Sequence, residues 1–153
     1  MVRGGSGLQD QMLQAKPILG LTDFETVMLD FDDFIFKSVK YWALKANEWF
    51  DLGGGIILKS SKNHYHVVFD RYVSREENLR IMAWVAILSK SLKLKDYVLM
   101  QCIKMGSTLR VSPNPNQEKL AQRLVYRFGC QDRAVKDFLR YRQLVKWIYR
   151  SVH

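Results

Sequence analysis

The chain contains few residues of several types, and each scarcity excludes a class of protein. Its 153 residues include only two cysteines, Cys102 and Cys130, and three prolines. Two cysteines without metal-ligand spacing argue against a disulfide framework and a structural zinc site, and they fit a reducing cytoplasm. No run of about 18 apolar residues occurs, so no transmembrane helix is expected. The Gly-rich start is not followed by a secretory apolar core. We therefore expect a cytoplasmic protein without a membrane partner.

Acidic residues are also outnumbered. The chain has 24 Lys and Arg against 15 Asp and Glu, which gives a formal net charge of +9. A basic balance favours polyanionic partners, nucleic acid first. The hydrophobic content of 48% is enough for one ordinary core. We expect a single domain over residues 23–153, preceded by a flexible segment over residues 1–22. The sequence shows no internal repeat and no P-loop.

Two short motifs carry most of the chemical information. VMLDFDD, residues 27–33, places Asp30 and Asp32 at the end of an apolar strand. SSKNHYHVVFD, residues 60–70, places a Ser-rich turn before a strand with His64 and His66. Residues i and i+2 of a strand share a face. If the two strands are neighbours, carboxylates and imidazoles meet on one sheet face. Carboxylates suit Mg²⁺ or Mn²⁺, so the pattern predicts metal-dependent chemistry on phosphates, with Asp30 and Asp32 as the metal ligands.

Hydrophobic periodicity predicts an α+β domain. Apolar alternation and turn signals indicate the order β-α-β-β-α-β, followed by an additional strand and a C-terminal helix. The predicted strands are 24–31, 55–60, 64–73, 97–105, 108–112 and 122–129, and the turn at 61–63 joins the second and third into a hairpin. The predicted helices are 33–50, with Asp33 as its N-cap, 74–90, which begins at a capping box from Ser74 to Glu77, and 131–150. Alternation along strand 64–73 directs Tyr65 and Phe69 away from the histidines, toward the core. This is an RRM-like or ferredoxin-like plan, an antiparallel sheet with helices on one face. Strand parity places six polar residues on the face left open: Asp30, Asp32, His64, His66, Asp70 and Arg110.

The two motifs resemble those of a known superfamily. VMLDFDD followed by a helix, and then KSSKNHYHVVFD, is similar to the first two motifs of the archaeo-eukaryotic primases, an hhhDhD strand and a Ser-x-His strand. The resemblance implies a minimal primase-polymerase palm, a nucleotidyltransferase of DNA replication that uses Mg²⁺ or Mn²⁺. Asp30, Asp32 and His66 would be catalytic. Ser60, Ser61 and His66 would contact the phosphates of a nucleotide triphosphate.

A later segment extends the resemblance. TLRVSPNPNQEK resembles a stretch in which an Arg precedes a Pro-containing turn and a Lys, which implies that Arg110 and Lys119 lie near the nucleotide. The family also has a metal-binding carboxylate on the strand before that Arg, whereas the predicted strand 97–105 contains no acid. Asn63 stands where the family has a Gly. The small size suggests a plasmid or virus protein, and the resemblance suggests an archaeal one. DNA is the expected partner in preference to RNA, and the sequence leaves catalytic activity open.

Two other interpretations use the same residues. His64-Tyr65-His66 is a His-hydrophobe-His triplet like that of rolling-circle initiators and relaxases, in which histidines hold a metal and a helical Tyr attacks DNA. Alternatively, the chain is a non-catalytic RRM-like module that binds single strands. In either case the basic final helix predicts nucleic-acid contacts from four residues, Arg133, Lys136, Arg140 and Lys146.

Overall fold

The computed structural model describes residues 19–104, 106–113 and 121–152. Its strands are β1 (Gly20–Asp23), β2 (Met28–Asp32), β3 (Gly54–Ser61), β4 (His64–Phe69), β5 (Ser107–Arg110) and β6 (Arg123–Gly129). Its helices are α1 (Phe36–Phe50), α2 (Arg75–Ser89), α3 (Leu92–Lys104) and α4 (Ala134–Val152). None of these helices is long and apolar enough to cross a membrane.

The strands form two antiparallel sheets. The larger sheet has the order β2-β4-β3-β6, and β1 pairs with β5 in a second, two-stranded sheet. β3 and β4 form the predicted hairpin, and β4 lies between β2 and β3. The mixed α+β class is confirmed.

The predicted strand 97–105 is wrong, because its described residues, 97–104, belong to helix α3. Its buried residues Leu94, Val98 and Gln101 recur every three or four positions, which is the period of a helix. Tyr97 and Val98 favour strands by local preference, but burial on a helical face decides the outcome. The chain reaches its next strand only at β5, so the predicted order β-α-β-β-α-β is replaced by β-β-α-β-β-α-α-β-β-α over the described residues.

One face of the larger sheet packs on α1 and α2. Leu29, Ile57 and Val67 are fully buried there, together with Tyr65 and Phe69. The alternation predicted that Tyr65 and Phe69 point away from the histidines, and the core confirms it. Helix α2 begins at the predicted capping box, where the Ser74 hydroxyl accepts a 3.1 Å hydrogen bond from the Glu77 amide. The N-cap predicted at Asp33 is wrong: α1 has Ile35 at its N-cap, and Asp33 has a φ of 63°.

The other face is not fully open. Met28, Leu58 and Val68 are buried on this face, and Val135 and Phe138 of α4 pack against them. This corrects the expected open sheet. α4 covers the apolar half of the face and leaves the polar end, with Asp30 and Asp32, at the periphery.

Asp70 fixes the position of α4 and is not part of a polar site. Its carboxylate is buried and accepts hydrogen bonds from the backbone amides of Asp132 (3.3 Å), Arg133 (3.0 Å) and Val135 (3.2 Å). Amides of a first helical turn have no partner within the helix, and a carboxylate there also favours the helix dipole. Strand parity was therefore insufficient to assign Asp70 to the open face.

The N-terminal strand lies within the segment that was expected to be flexible. Gly20–Asp23 forms β1 and pairs with β5 from Gly20 opposite Arg110 to Asp23 opposite Ser107. Buried Asn78 joins this sheet to the β1–β2 connection, because its amide donates to the Thr26 carbonyl and the Ser107 hydroxyl at 3.0 Å each. Residues 1–18 lie outside the described residues.

Candidate functional site

Two aspartates face two histidines across neighbouring strands. In the β2–β4 pairing, Asp30 is opposite His66 and Asp32 is opposite His64. His64 Nδ1 and Asp32 Oδ1 are hydrogen bonded, and His66 Nε2 lies 3.5 Å from Asp30 Oδ1. Directly opposite residues of antiparallel strands place their side chains on the same face. The predicted meeting of carboxylates and imidazoles on one sheet face is confirmed.

Gln122 fixes the orientation of the His66 ring. Its side-chain nitrogen donates at 2.8 Å to the Arg110 carbonyl, which can only accept, and the same nitrogen is 2.7 Å from His66 Nδ1. A side-chain amide nitrogen can only donate hydrogen bonds, so Nδ1 of His66 must accept this one. A neutral His66 ring therefore carries its hydrogen on Nε2, the nitrogen that faces Asp30. His66 and Gln122 are 4% and 1% exposed. Sequence reasoning missed Gln122, because no local pattern marks a residue that becomes important only through a distant partner.

Arg110 lies beside the aspartates. It ends β5, which packs next to β2, and its guanidinium donates to the Ser112 carbonyl. Burial lowers the pKa of Arg110, and the charges of Asp30 and Asp32 act in the opposite direction. The structure therefore brings together four of the predicted residues: Asp30, Asp32, His66 and Arg110.

The Ser-rich turn lies at the same end of the sheet. Ser61 pairs with His64, which in turn pairs with Asp32. The Phe34 amide donates at 3.2 Å to the Asn63 carbonyl, so the chain after β2 is held against the turn.

A cavity of about 280 Å³ opens beside this turn, lined by Lys59, Ser60, Ser61, Lys62, Ala121 and Arg123. Ser60 is 4% exposed, and its hydroxyl has no hydrogen-bond partner within the described ranges. A buried hydroxyl without a partner in a cationic cavity is suited to a phosphate oxygen. Lys119, the remaining predicted nucleotide contact, lies outside the described residues.

The donor set fits Mg²⁺ or Mn²⁺ only in combination with a substrate. Among the described residues, no three His, Cys, Asp or Glu side chains form a group that could hold a metal ion. Asp30 and Asp32 nevertheless supply two carboxylates on one strand face. Mg²⁺ is usually bound by one or two carboxylates together with substrate phosphates, not by a cage made of protein alone. The pair fits that mode.

The basic residues of the final helix do not form one surface. Arg133, Lys136 and Arg140 are exposed, at or just before the N-terminal half of α4. Lys146 instead lines a second cavity, of about 260 Å³, together with Tyr149 and Arg150. The predicted nucleic-acid contacts therefore fall into two groups. Arg133, Lys136 and Arg140 form an outer group, and Lys146 belongs with Arg150 to an inner group that lines the cavity.

Comparison of the chain with protein-family models, with curated proteins and with solved structures gives no significant match.

Proposed function

We propose that the polar end of the β2–β4–β3 sheet binds a nucleoside triphosphate with Mg²⁺ or Mn²⁺, and that the protein transfers nucleotides in DNA replication. The observation that carries the proposal is the convergence of two carboxylates, a buried histidine and an arginine. Opposite charges held at one sheet end can bind a phosphate chain and its counter-cation simultaneously.

The sheet supports a palm of the RRM-like kind. The first strand of the motif, β2, is followed by α1, β3 and β4, and β4 inserts between β2 and β3. This order resembles the split β-α-β arrangement of ferredoxin-like folds. α3 and the separate β1–β5 sheet depart from that plan, so the proposed palm is a modified one.

Each residue has a specific role in this proposal. Asp30 and Asp32 would hold the divalent ion, which when bound would neutralise charge on the phosphates. His66 directs its Nε2 hydrogen to the site because Gln122 occupies Nδ1. Arg110 supplies a fixed positive charge. The Ser60 hydroxyl and the Lys62 ammonium line the cavity in which the outer phosphates would lie.

The test is primer extension with Mn²⁺, a primed DNA template and labelled deoxynucleotides. Asp30→Asn and Asp32→Asn should each reduce incorporation by at least about 100-fold, because loss of a charged metal ligand removes several kcal/mol of stabilisation. Asp96→Asn is the matched control, since Asp96 is exposed on α3. Absence of incorporation by the parent protein would contradict the enzymatic proposal. A covalent protein–DNA adduct through a tyrosine would instead establish the His-x-His nuclease.

A further inference from the structure

The second cavity lies between α4 and the segment that follows β5. It is lined by Val111, Ser112, Pro113, Ala121, Val145, Lys146, Tyr149 and Arg150. One wall is apolar and aromatic, and the other carries positive charge. Ala121 lines this cavity and also the cavity beside the Ser-rich turn. The two cavities are therefore neighbours.

Two cations of α4, Lys146 and Arg150, line this cavity, and Arg142 precedes them on the same side of the helix. Arg142, Lys146 and Arg150 are spaced at i, i+4 and i+8, so each lies one turn, about 6 Å along the axis, from the next. Within the part of the chain that the structure describes, no acidic side chain forms a salt bridge with any of them. Like charges at this spacing repel each other. Burial and the charges of Arg142 and Arg150 lower the pKa of Lys146.

Arg142 connects the cations to the site. Its guanidinium donates to the backbone carbonyl of Gln122, the residue whose side chain orients His66. The pKa of Arg142 is also lowered by burial. A packing role alone would be served by an uncharged side chain at lower cost, because desolvating a charge is unfavourable unless it is paired.

We propose that this groove, lined by Lys146, Tyr149 and Arg150 and continued along α4 by Arg142, binds a single-stranded DNA segment next to the nucleotide site. Regularly spaced cations match the repeating charge of a phosphate backbone, and the apolar wall of Val111, Pro113 and Val145 can take a base. The role of this strand as template or primer rests on the proposed function, whereas its binding does not.

The test compares two double variants with equal loss of charge. Lys146→Gln/Arg150→Gln changes the inner group, and Lys136→Gln/Arg140→Gln changes the exposed group of the same helix. Anisotropy of a labelled 12-residue oligo-dT is measured over a range of KCl concentrations, with a fluorescent nucleotide triphosphate titrated in parallel. The inner variant should bind the oligonucleotide about tenfold more weakly, with a salt slope smaller by about 1.4, since each single-strand contact contributes roughly 0.7. The outer variant should lose less than about threefold. Lys146→Arg/Arg150→Lys should retain the parent's binding, which shows that the charges at these two positions are what the oligonucleotide requires.

Equal losses of oligonucleotide affinity in the two variants would show that only net charge matters, and would contradict binding in the groove. The proposal is also contradicted if the inner variant binds the oligonucleotide as tightly as the parent, or if the parent does not bind it at all. It is likewise contradicted if the inner variant loses affinity for the triphosphate but not for the oligonucleotide. If the parent binds the oligonucleotide through the inner group but binds no triphosphate, the groove is supported and the proposed function fails.

Discussion

The side-chain amide of Gln122 donates to Nδ1 of His66 at 2.7 Å. This bond joins β4 to the residue just before β6, and the same amide also binds the Arg110 carbonyl at 2.8 Å. One buried amide therefore ties the histidine strand to the segment that carries the arginine. His66 in turn faces Asp30. The geometry of the candidate site depends on a residue that belongs to neither sequence motif.

Replacing Gln122 should disturb both the site and the fold. Gln122→Leu leaves His66 Nδ1 and the Arg110 carbonyl without a donor, and each unsatisfied buried group costs about 1–3 kcal/mol. We expect a loss of roughly 2–4 kcal/mol in the free energy of unfolding, measured with urea. Nitrogen NMR of the imidazole should show a changed tautomer of His66 in the Leu variant. An unchanged tautomer and an unchanged urea midpoint would contradict the role assigned to the amide.

Arg110 should matter for ligand affinity. Arg110→Met removes the guanidinium, and hydrogen bonds to charged groups contribute about 1.5–3 kcal/mol. We expect triphosphate affinity to fall by about 10- to 150-fold. Arg127→Met is the matched control, because Arg127 is exposed on β6. A fluorescent nucleotide titration measures both. Equal affinities of the two variants would remove Arg110 from the site.

Asp70 should act on stability through α4. Asp70→Ala removes the acceptor of three backbone amides, so we expect a loss of about 2–4 kcal/mol in urea unfolding. Asp70→Asn keeps one carbonyl oxygen and should lose less. Exposed Asp96→Ala should change stability by less than about 0.5 kcal/mol. A change of that small size in Asp70→Ala would show that α4 is held by its apolar contacts alone.

Lys146 should destabilise the free protein at neutral pH. Its pKa is lowered in the folded state, so the folded protein disfavours the charged form, and this penalty is present below the folded pKa. The penalty disappears as pH rises from the folded pKa toward the ordinary value of 10.5. Lys146→Gln removes the repulsion of Lys146 by Arg142 and by Arg150, and each such like-charge pair costs about 0.2–0.5 kcal/mol. We therefore expect this substitution to raise the Tm by roughly 1–4 °C at pH 7. The gain should shrink as the pH rises toward 10.5. A lower Tm at pH 7 would show that Lys146 has a stabilising partner.

Local sequence patterns predicted most strands and helices and the two strands that carry the aspartates and histidines, but not the distant contacts that complete the site. Alternating residues predicted β2 and β4, and their parity predicted that Asp30 and His66 share one sheet face, which the β2–β4 register confirms. The Ser74 capping box gave the start of α2. Helix α3 was missed because aromatic and β-branched residues satisfy both a strand preference and a helical period. The burial of Asp70, the bond from Gln122 and the cover by α4 all depend on contacts between distant residues, which no local pattern contains.

The proposed nucleotide site is tested most directly by calorimetric titration of a nucleoside triphosphate, in the presence of Mn²⁺, into the parent, His66→Ala and His64→Ala. His66 is buried, is oriented by Gln122 and faces Asp30, whereas His64 pairs with Asp32 at the rim. We predict that His66→Ala weakens binding by at least about tenfold and that His64→Ala weakens it clearly less. Equal weakening by the two changes would indicate a site held by both histidines, as in a His-x-His nuclease. Binding that His66→Ala leaves unchanged would contradict the account.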